Sequence, residues 1–267
     1  MKKLFSALWV GLVFLFLYFP ILVMVAFSFN STTSKSVFTG FSLKWYAELF
    51  SDPKLMGALG STLLVAILSA VIATVIGTAA AIGIHSYPKR ARNMVMNISN
   101  VPIINPEIVT GISLMLMFVM VARWLGLPMG FWSVLLAHVT FNVPYVVLNV
   151  LPKLRQMNTH LYEAALDLGA TPRRALLRVV LPEIMPGVAS GFLMSLTYSM
   201  DDFVITRFTS GNFQTLPVLI YTMLKKPLPL SVNALSALLF LMVLSILIAI
   251  NVISAKRYKK AQKELAK

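Results

Sequence analysis

The chain has 267 residues, of which 58% are hydrophobic and only 12% charged, with a formal net charge of +14. Soluble globular domains carry about 25% charged residues, so this share excludes a fully solvated surface and makes lipid the expected solvent, crossed by helices that satisfy their own backbone. The basic excess reads as membrane-protein loop bias rather than nucleic-acid binding, and the absence of cysteine excludes disulfides, thiolate metal sites and cysteine nucleophiles.

A helix needs about 20 mostly apolar residues to cross a hydrocarbon core. Six segments qualify: 6–29, 61–85, 94–122, 131–151, 187–206 and 234–255. The first follows Lys2 and Lys3 as a signal peptide would, but its apolar run exceeds the usual 7–15 residues and no small-residue cleavage site follows, so it reads as an uncleaved anchor. Next, "LKWYAEL", with Trp45, reads as an amphipathic helix at the membrane interface. The second span places Ser69, Ala73, Gly77 and Ala81 at four-residue spacing, the pattern that lets membrane helices approach closely. In the third, "INPEIV" makes Asn105-Pro106 begin or kink a helix and sets Glu107 beside its positive end. Sixteen Lys and Arg lie in the termini and the 86–93 and 152–186 loops, against seven in the remaining loops. That bias predicts both termini in the cytoplasm. The chain is expected to be one all-α membrane domain over residues 1–267, with no linker or internal repeat.

Between the fourth and fifth spans lies a charged insert, about 158–182. Asn158 and Thr159 are candidate caps for a helix through Leu168, and Gly169 suits the left-handed position that ends it. Thr171-Pro172 signals a second start. That helix is expected to run to Val180 and to stop at Leu181-Pro182. Ala164 and Ala165 give the first helix a low-relief patch. A solvated loop and a docking element both fit these features.

Acids within hydrocarbon are functional candidates by default. Besides Glu107, they occur in "SLTYSMDDF" of the fifth span. On a helical repeat Ser195, Ser199 and Asp202 share one face, with Thr197 and Asp201 on an adjacent one. Two readings stay open: Arg207 or a partner subunit neutralises an interfacial Asp, or the carboxylates line the path of a cation. Tyr198, Tyr145 and Trp132 offer cation–π faces to such a path if they line it. Otherwise they are lipid-facing or interfacial. The loop 207–233 is expected to hold another short outer helix.

"EAALDLGATPRRALLRVVLP", Glu163 to Pro182, resembles the EAA motif of ABC-importer permeases: Glu163, Ala164, Ala165, Gly169, Leu181 and Pro182 match, and Val179 stands where the family usually has Ile. "FNSTTS", "LKWYAELF", "INPEIVTGISL", "GFWSVLLAHVTFNVPYVV" and "SLTYSMDDFVITRFTSG" extend the likeness to the second permease subunit of spermidine/putrescine importers. The resemblance implies a six-helix type I importer fold in a bacterial inner membrane, without enzymatic activity of its own. The insert then forms a coupling helix that docks on a cytoplasmic ATPase. It implies as partners two copies of that ATPase, a second related permease and a periplasmic binding protein. Residues it associates with polyamine passage correspond to Glu107, Asp201, Asp202, Trp45 and Ser199, with Tyr198 beside them; Glu107 stands where relatives have Asp. No Gly-Lys dipeptide, hence no phosphate-binding P-loop, occurs. This chain is therefore expected to bind no cofactor, ATP and magnesium being held by the ATPase.

Three alternatives accompany this reading. One is a permease of the same class for another small solute. A second is a proton-coupled secondary transporter. The third, an intramembrane aspartyl protease, fails because adjacent Asp residues on a helix point about 100° apart. Nor do His85, His138 and His160 have metal-ligand spacing.

Overall fold

A computed structural model describes residues 2–241 apart from 35–36, 127, 159 and 225–228, and beyond them only positions 244, 245 and 248. The helices are α1 (Lys2–Ser28), α2 (Lys44–Ser51), α3 (Pro53–His85), α4 (Lys89–Ile104), α5 (Glu107–Leu125), α6 (Phe131–Gln156), α7 (His160–Asp167) and α8 (Pro172–Ala175). A π-helical turn, Leu176–Val180, leads into α9 (Leu181–Asp201), followed by α10 (Val204–Thr209) and α11 (Leu216–Met223). An apolar helix α12 (Leu230–Leu241) follows. Five helical runs among the described residues are long and apolar enough to cross a membrane: Leu8–Ser28, Pro53–His85, Glu107–Trp124, Phe131–Gln156 and Pro172–Asp201. Of the expected sixth span, residues 234–241 lie in α12, and the remainder falls almost wholly outside the described residues, as do the basic tail, Lys35, Lys225, Lys226 and the candidate cap Thr159.

Several boundaries differ from the sequence expectation for identifiable reasons. The second span begins at Pro53 because the Asp52 carboxylate accepts from the backbone N–H groups of Lys54 (2.8 Å) and Leu55 (3.2 Å), capping the helix eight residues early. The third segment divides into α4 and α5 at Asn105-Pro106; Pro106 is the N-cap of α5 and Glu107 its first residue. The helix expected to stop at Leu181-Pro182 does not stop. Proline has no N–H and its ring would crowd the carbonyl four residues back. Here the π turn widens the chain, with Leu181 N–H bonding the Leu176 carbonyl, so that α8 and α9 join in one run.

The chain forms two compact units, residues 1–56 with 223–267 and residues 57–222. In the first, Asn30 organises the loop after α1. Its amide donates to the carbonyls of Ser34 (3.0 Å) and Val37 (2.8 Å), and its side-chain oxygen accepts from Thr39 N–H (2.9 Å). The Asn30 carbonyl receives the Trp45 indole N–H at 2.6 Å. Phe29 stacks on Phe41, both centroid distances to Phe41 and Tyr46 being 5.2 Å. Thus α2 is held to the end of α1 by its aromatic residues.

In the second unit α6 is the central helix. Ser69, Ala73, Gly77 and Ala81 of α3 are all buried, as their spacing predicts. Of these, Ala73 and Ala81 share one core with Val146, Val150, Leu151 and Ile184. Gly191 of α9 meets the other side of Val146, where a β-carbon would lie 3.1 Å from the Val146 Cα. Small residues on both flanking helices therefore bring three backbones together around α6. A smaller core of Leu114, Phe118, Ala137, Phe141 and Ile205 holds α5 and α10 against it.

Candidate substrate cavity and coupling loop

Glu107 and Asp201, distant in sequence, line one cavity of about 190 Å3 in the second unit. Two helix ends create it. Pro106 starts α5 and presents Glu107 and Thr110 from its first turn, while α9 ends at Asp201. From α6 come Phe141 and Tyr145, and from α9 Tyr198. Tyr145 and Tyr198 stack with centroids 4.3 Å apart and planes inclined by 20°. Phe203, after the break in α9, completes an aromatic wall.

The charges of the wall are one-sided. Its described lining includes acids and tyrosines but no Lys or Arg. The Glu107 carboxylate sits at a helix N-terminus, where the dipole favours it. Asp201 sits at the C-terminal end of α9, where unpaired carbonyls already carry negative partial charge. An anion there is unfavourable until a cation joins it. Arg207 belongs to a different cavity, with Met115, Met129, Phe208 and Gly211. Among the described residues the carboxylates close to a basic side chain are Asp202, beside His138, and Glu163, beside His160, and neither Asp of the pair is neutralised by Arg207.

Asp202 borders the same cavity but its carboxylate is buried at 6% exposure, 3.4 Å from His138 Nε2. It accepts from Ile205 N–H (3.2 Å), Thr206 N–H (2.7 Å) and the Thr206 hydroxyl (2.7 Å). Ser199 is also buried and contacts Ser69 Oγ (2.8 Å), His138 Nδ1 (3.0 Å) and the Asn142 amide (2.8 Å). The face shared by Ser195, Ser199 and Asp202 is thus turned into the helix bundle, while Asp201 is exposed.

Two further candidates lie elsewhere. Trp45 is in the first unit, 5% exposed, with Lys44 Nζ 5.2 Å from its ring centroid. Trp132 is 72% exposed and packs edge-on to Phe131. Sequence reasoning weighed His138 only as a metal ligand and did not single out Asn142 or Thr206. The available signal was polar spacing: His138 and Asn142 are one helical turn apart in a mostly apolar stretch of α6.

At Gly169 and Thr171-Pro172 the insert has the punctuation its sequence predicts. Gly169 takes φ +84°. Its N–H bonds the Leu166 carbonyl at 2.8 Å and Ala170 N–H bonds the Ala165 carbonyl at 3.0 Å, the paired Schellman pattern that ends a helix. Thr171 then caps α8, its hydroxyl accepting from Arg174 N–H at 3.4 Å, with Pro172 at the first helical position. No residue of α7 is buried. Glu163 pairs with His160 at 3.1 Å on that exposed helix, and Ala164 is exposed beside it. Leu181 and Pro182 lie inside the continuous run after the π turn.

Residues 73–259 match the family described as binding-protein-dependent transport system inner membrane component. The chain is similar to the spermidine/putrescine transport system permease protein PotC of Escherichia coli K12, at 37% identity over 248 residues and 92% of both chains. It is 39% identical over 230 residues to the putrescine transport system permease protein PotI of the same organism, covering 85% of this chain and 82% of the relative. PotC of Haemophilus influenzae is 35% identical over 245 residues, or 91% and 94% of the two chains. Among solved structures, a bacterial ABC transporter involved in import of the acidic polysaccharide alginate superposes with TM-score 0.69 over 95% of each chain, at 16% identity. A second structure, of a bacterial alginate ABC transporter in complex with alginate-bound periplasmic protein, gives 0.65 over 93% and 92% at 18% identity. At such identities these two likenesses speak to fold alone. Family match and relatives together make this chain a member of the binding-protein-dependent inner-membrane permeases, the multi-pass, non-catalytic membrane components of ABC importers.

Proposed function

We propose that this permease moves polyamines into the cytoplasm, and that Glu107 and Asp201 receive their ammonium groups. The observation that carries the proposal is the wall those two acids share: stacked Tyr145 and Tyr198, with no basic residue in the described lining. A polyamine is a flexible chain of separated charges. Two carboxylates replace hydration lost at its ammonium groups, and tyrosine faces add cation–π attraction. The fold does not choose the substrate: the alginate transporter, similar in fold, handles an acidic polysaccharide. The chemistry of the wall and the polyamine names of the 35–39% identical relatives support the choice.

In this reading the chain is one permease domain with six spans and both termini in the cytoplasm. It pairs with a second, related permease, and two ATPase copies bind ATP and magnesium. Glu163, Ala164, Ala165 and Gly169 present α7 to the ATPase, while Leu181 and Pro182 carry its displacement through the π turn into α9. ATP acts as a population shift, binding one packed arrangement of the paired core more tightly than the other. A periplasmic binding protein delivers the substrate. Trp45 supports the outer loop through Asn30 rather than contacting the cation, since its indole N–H and one ring face are already occupied.

The test is uptake by the assembled transporter in proteoliposomes. ATP-dependent, uncoupler-insensitive uptake of spermidine or putrescine is expected. Glu107→Gln with Asp201→Asn is expected to raise KM by about a hundredfold, each lost charge-assisted contact being worth roughly a factor of ten. Unchanged KM in that double variant overturns the acidic path. Uptake abolished by the uncoupler but independent of ATP points instead to a proton-coupled carrier.

A further inference from the structure

Asp201 and Asp202 are adjacent in sequence and opposite in environment. Asp201 is the exposed last residue of α9. Asp202 leaves the helical region at φ −64°, ψ 116°, and so creates the break before α10. That break leaves the first N–H groups of α10 without helical partners. Phe203, at the N-cap position, has no side-chain oxygen to offer, and the Asp202 carboxylate takes its place. Asp202 accepts from the second and third residues of α10, Ile205 and Thr206, at 3.2 and 2.7 Å.

The same carboxylate ends a buried chain of donors. With the His138 proton on Nε2, the Asn142 amide donates to Ser199, Ser199 to His138 Nδ1, His138 to the Thr206 hydroxyl at 2.9 Å, and Thr206 to Asp202 at 2.7 Å. Each named link finds an acceptor, and α6, α9 and α10 are tied to one point. Ser69 adds α3 through Ser199. Asp202 accepts three bonds inside the protein, and 6% side-chain exposure leaves little of it for a solute.

We infer that Asp202 is a positioning residue: it holds the α9–α10 break so that Asp201 stands in the cavity, and Ser199 and His138 hold Asp202. This inference rests on the proposed cation path and divides its acidic pair into one ligand and one support. Its chemical consequence is specific. A ligand needs its negative charge, whereas a helix cap needs an acceptor atom, which an amide oxygen also provides.

The experiment compares Asp202→Asn, Asp202→Ala, Asp201→Asn and the double variant Asp201→Asn/Asp202→Ala. Each is measured as KM and maximal rate for spermidine uptake by the assembled transporter. Asp201→Asn is expected to raise KM about tenfold. Asp202→Ala is expected to do likewise, while Asp202→Asn stays within about threefold of the parent because its amide oxygen keeps the strongest cap. Since Asp202 acts through Asp201, the double variant should match Asp201→Asn alone rather than multiply the two effects. Thr206→Val, which removes a donor outside the cavity wall, should shift KM in the same direction as Asp202→Ala. An Asp202→Asn transporter that assembles but is as impaired as Asp202→Ala overturns the inference, as does a multiplicative double variant. Parental KM in Asp202→Ala overturns it too. If Asp202→Ala fails to assemble, the Asn variant still decides by the same threshold. Parental KM in Asp201→Asn would instead sink the cation path itself.

Discussion

Gly77 of α3 and Val146 of α6 approach so closely that a β-carbon on the glycine would lie 2.6 Å from Val146 Cβ and 3.1 Å from the Val143 carbonyl oxygen. No real β-carbon tolerates the first distance, so Gly77→Ala must push the two helices apart. Overpacking of this kind costs roughly 1–3 kcal/mol. The variant should lose thermal stability in detergent, and Val146→Gly, which removes the opposing Cβ, should cost less in the Gly77→Ala background than in the parent. Additive costs would place the strain at the Val143 backbone instead.

That contact was legible in outline. Four small residues at one-turn spacing announce a close helix approach whatever the partner, but the partner, α6, is a tertiary fact. The same division runs through the site. Proline punctuation located the start of α5 and so the placing of Glu107, because proline acts on its own backbone. The end of α9 was not legible: helical periodicity continues smoothly through Asp201 and Asp202, and only the bonds from Ile205 and Thr206 make Asp202 a cap. Pro182 misled for a related reason, since the π turn that accommodates it has no local sequence signature. The buried role of His138 was not legible because a polar group's burial depends on what faces it, here Ser199 and Thr206.

At Gly169 the backbone has φ +84° and no atom lies within 4 Å of where a β-carbon would be. Substitution there meets conformational strain rather than collision. Ala should cost about 1 kcal/mol, Asn less because it tolerates the left-handed region, and a β-branched Val more. Co-purification of the ATPase with the permease should fall in the order Asn, Ala, Val. Gly169→Asp adds a negative charge at the C-terminal end of α7, against its dipole, and should retain less ATPase than Gly169→Asn. Equal retention by all four variants would dissociate this turn from docking.

Trp45 supplies a contrast between support and recognition. Trp45→Phe keeps most of the buried ring but removes the N–H that satisfies the Asn30 carbonyl at 2.6 Å. An orphaned buried acceptor costs about 1–3 kcal/mol. The variant should expose the loop 30–42 to protease while uptake KM stays near the parental value. A raised KM with an intact loop would return Trp45 to the substrate path.

The stacked pair Tyr145 and Tyr198 tests whether the cavity wall recognises charge by its π-faces as well as by its acids. Their planes lie nearly parallel at a centroid distance of 4.3 Å, and Tyr198 is 38% exposed. A cation over such a face gains about 0.5–2 kcal/mol depending on its desolvation. Tyr198→Phe keeps the face and should leave KM nearly unchanged. Tyr198→Leu removes it and should raise KM by roughly twofold to thirtyfold, following from that energy range. The effect should be lost for a neutral diamine analogue in competition assays, because the quadrupole attracts only the charged form. If Phe and Leu are equally impaired, the hydroxyl rather than the ring is the recognised feature, and the pair acts by hydrogen bonding beside Glu107 and Asp201.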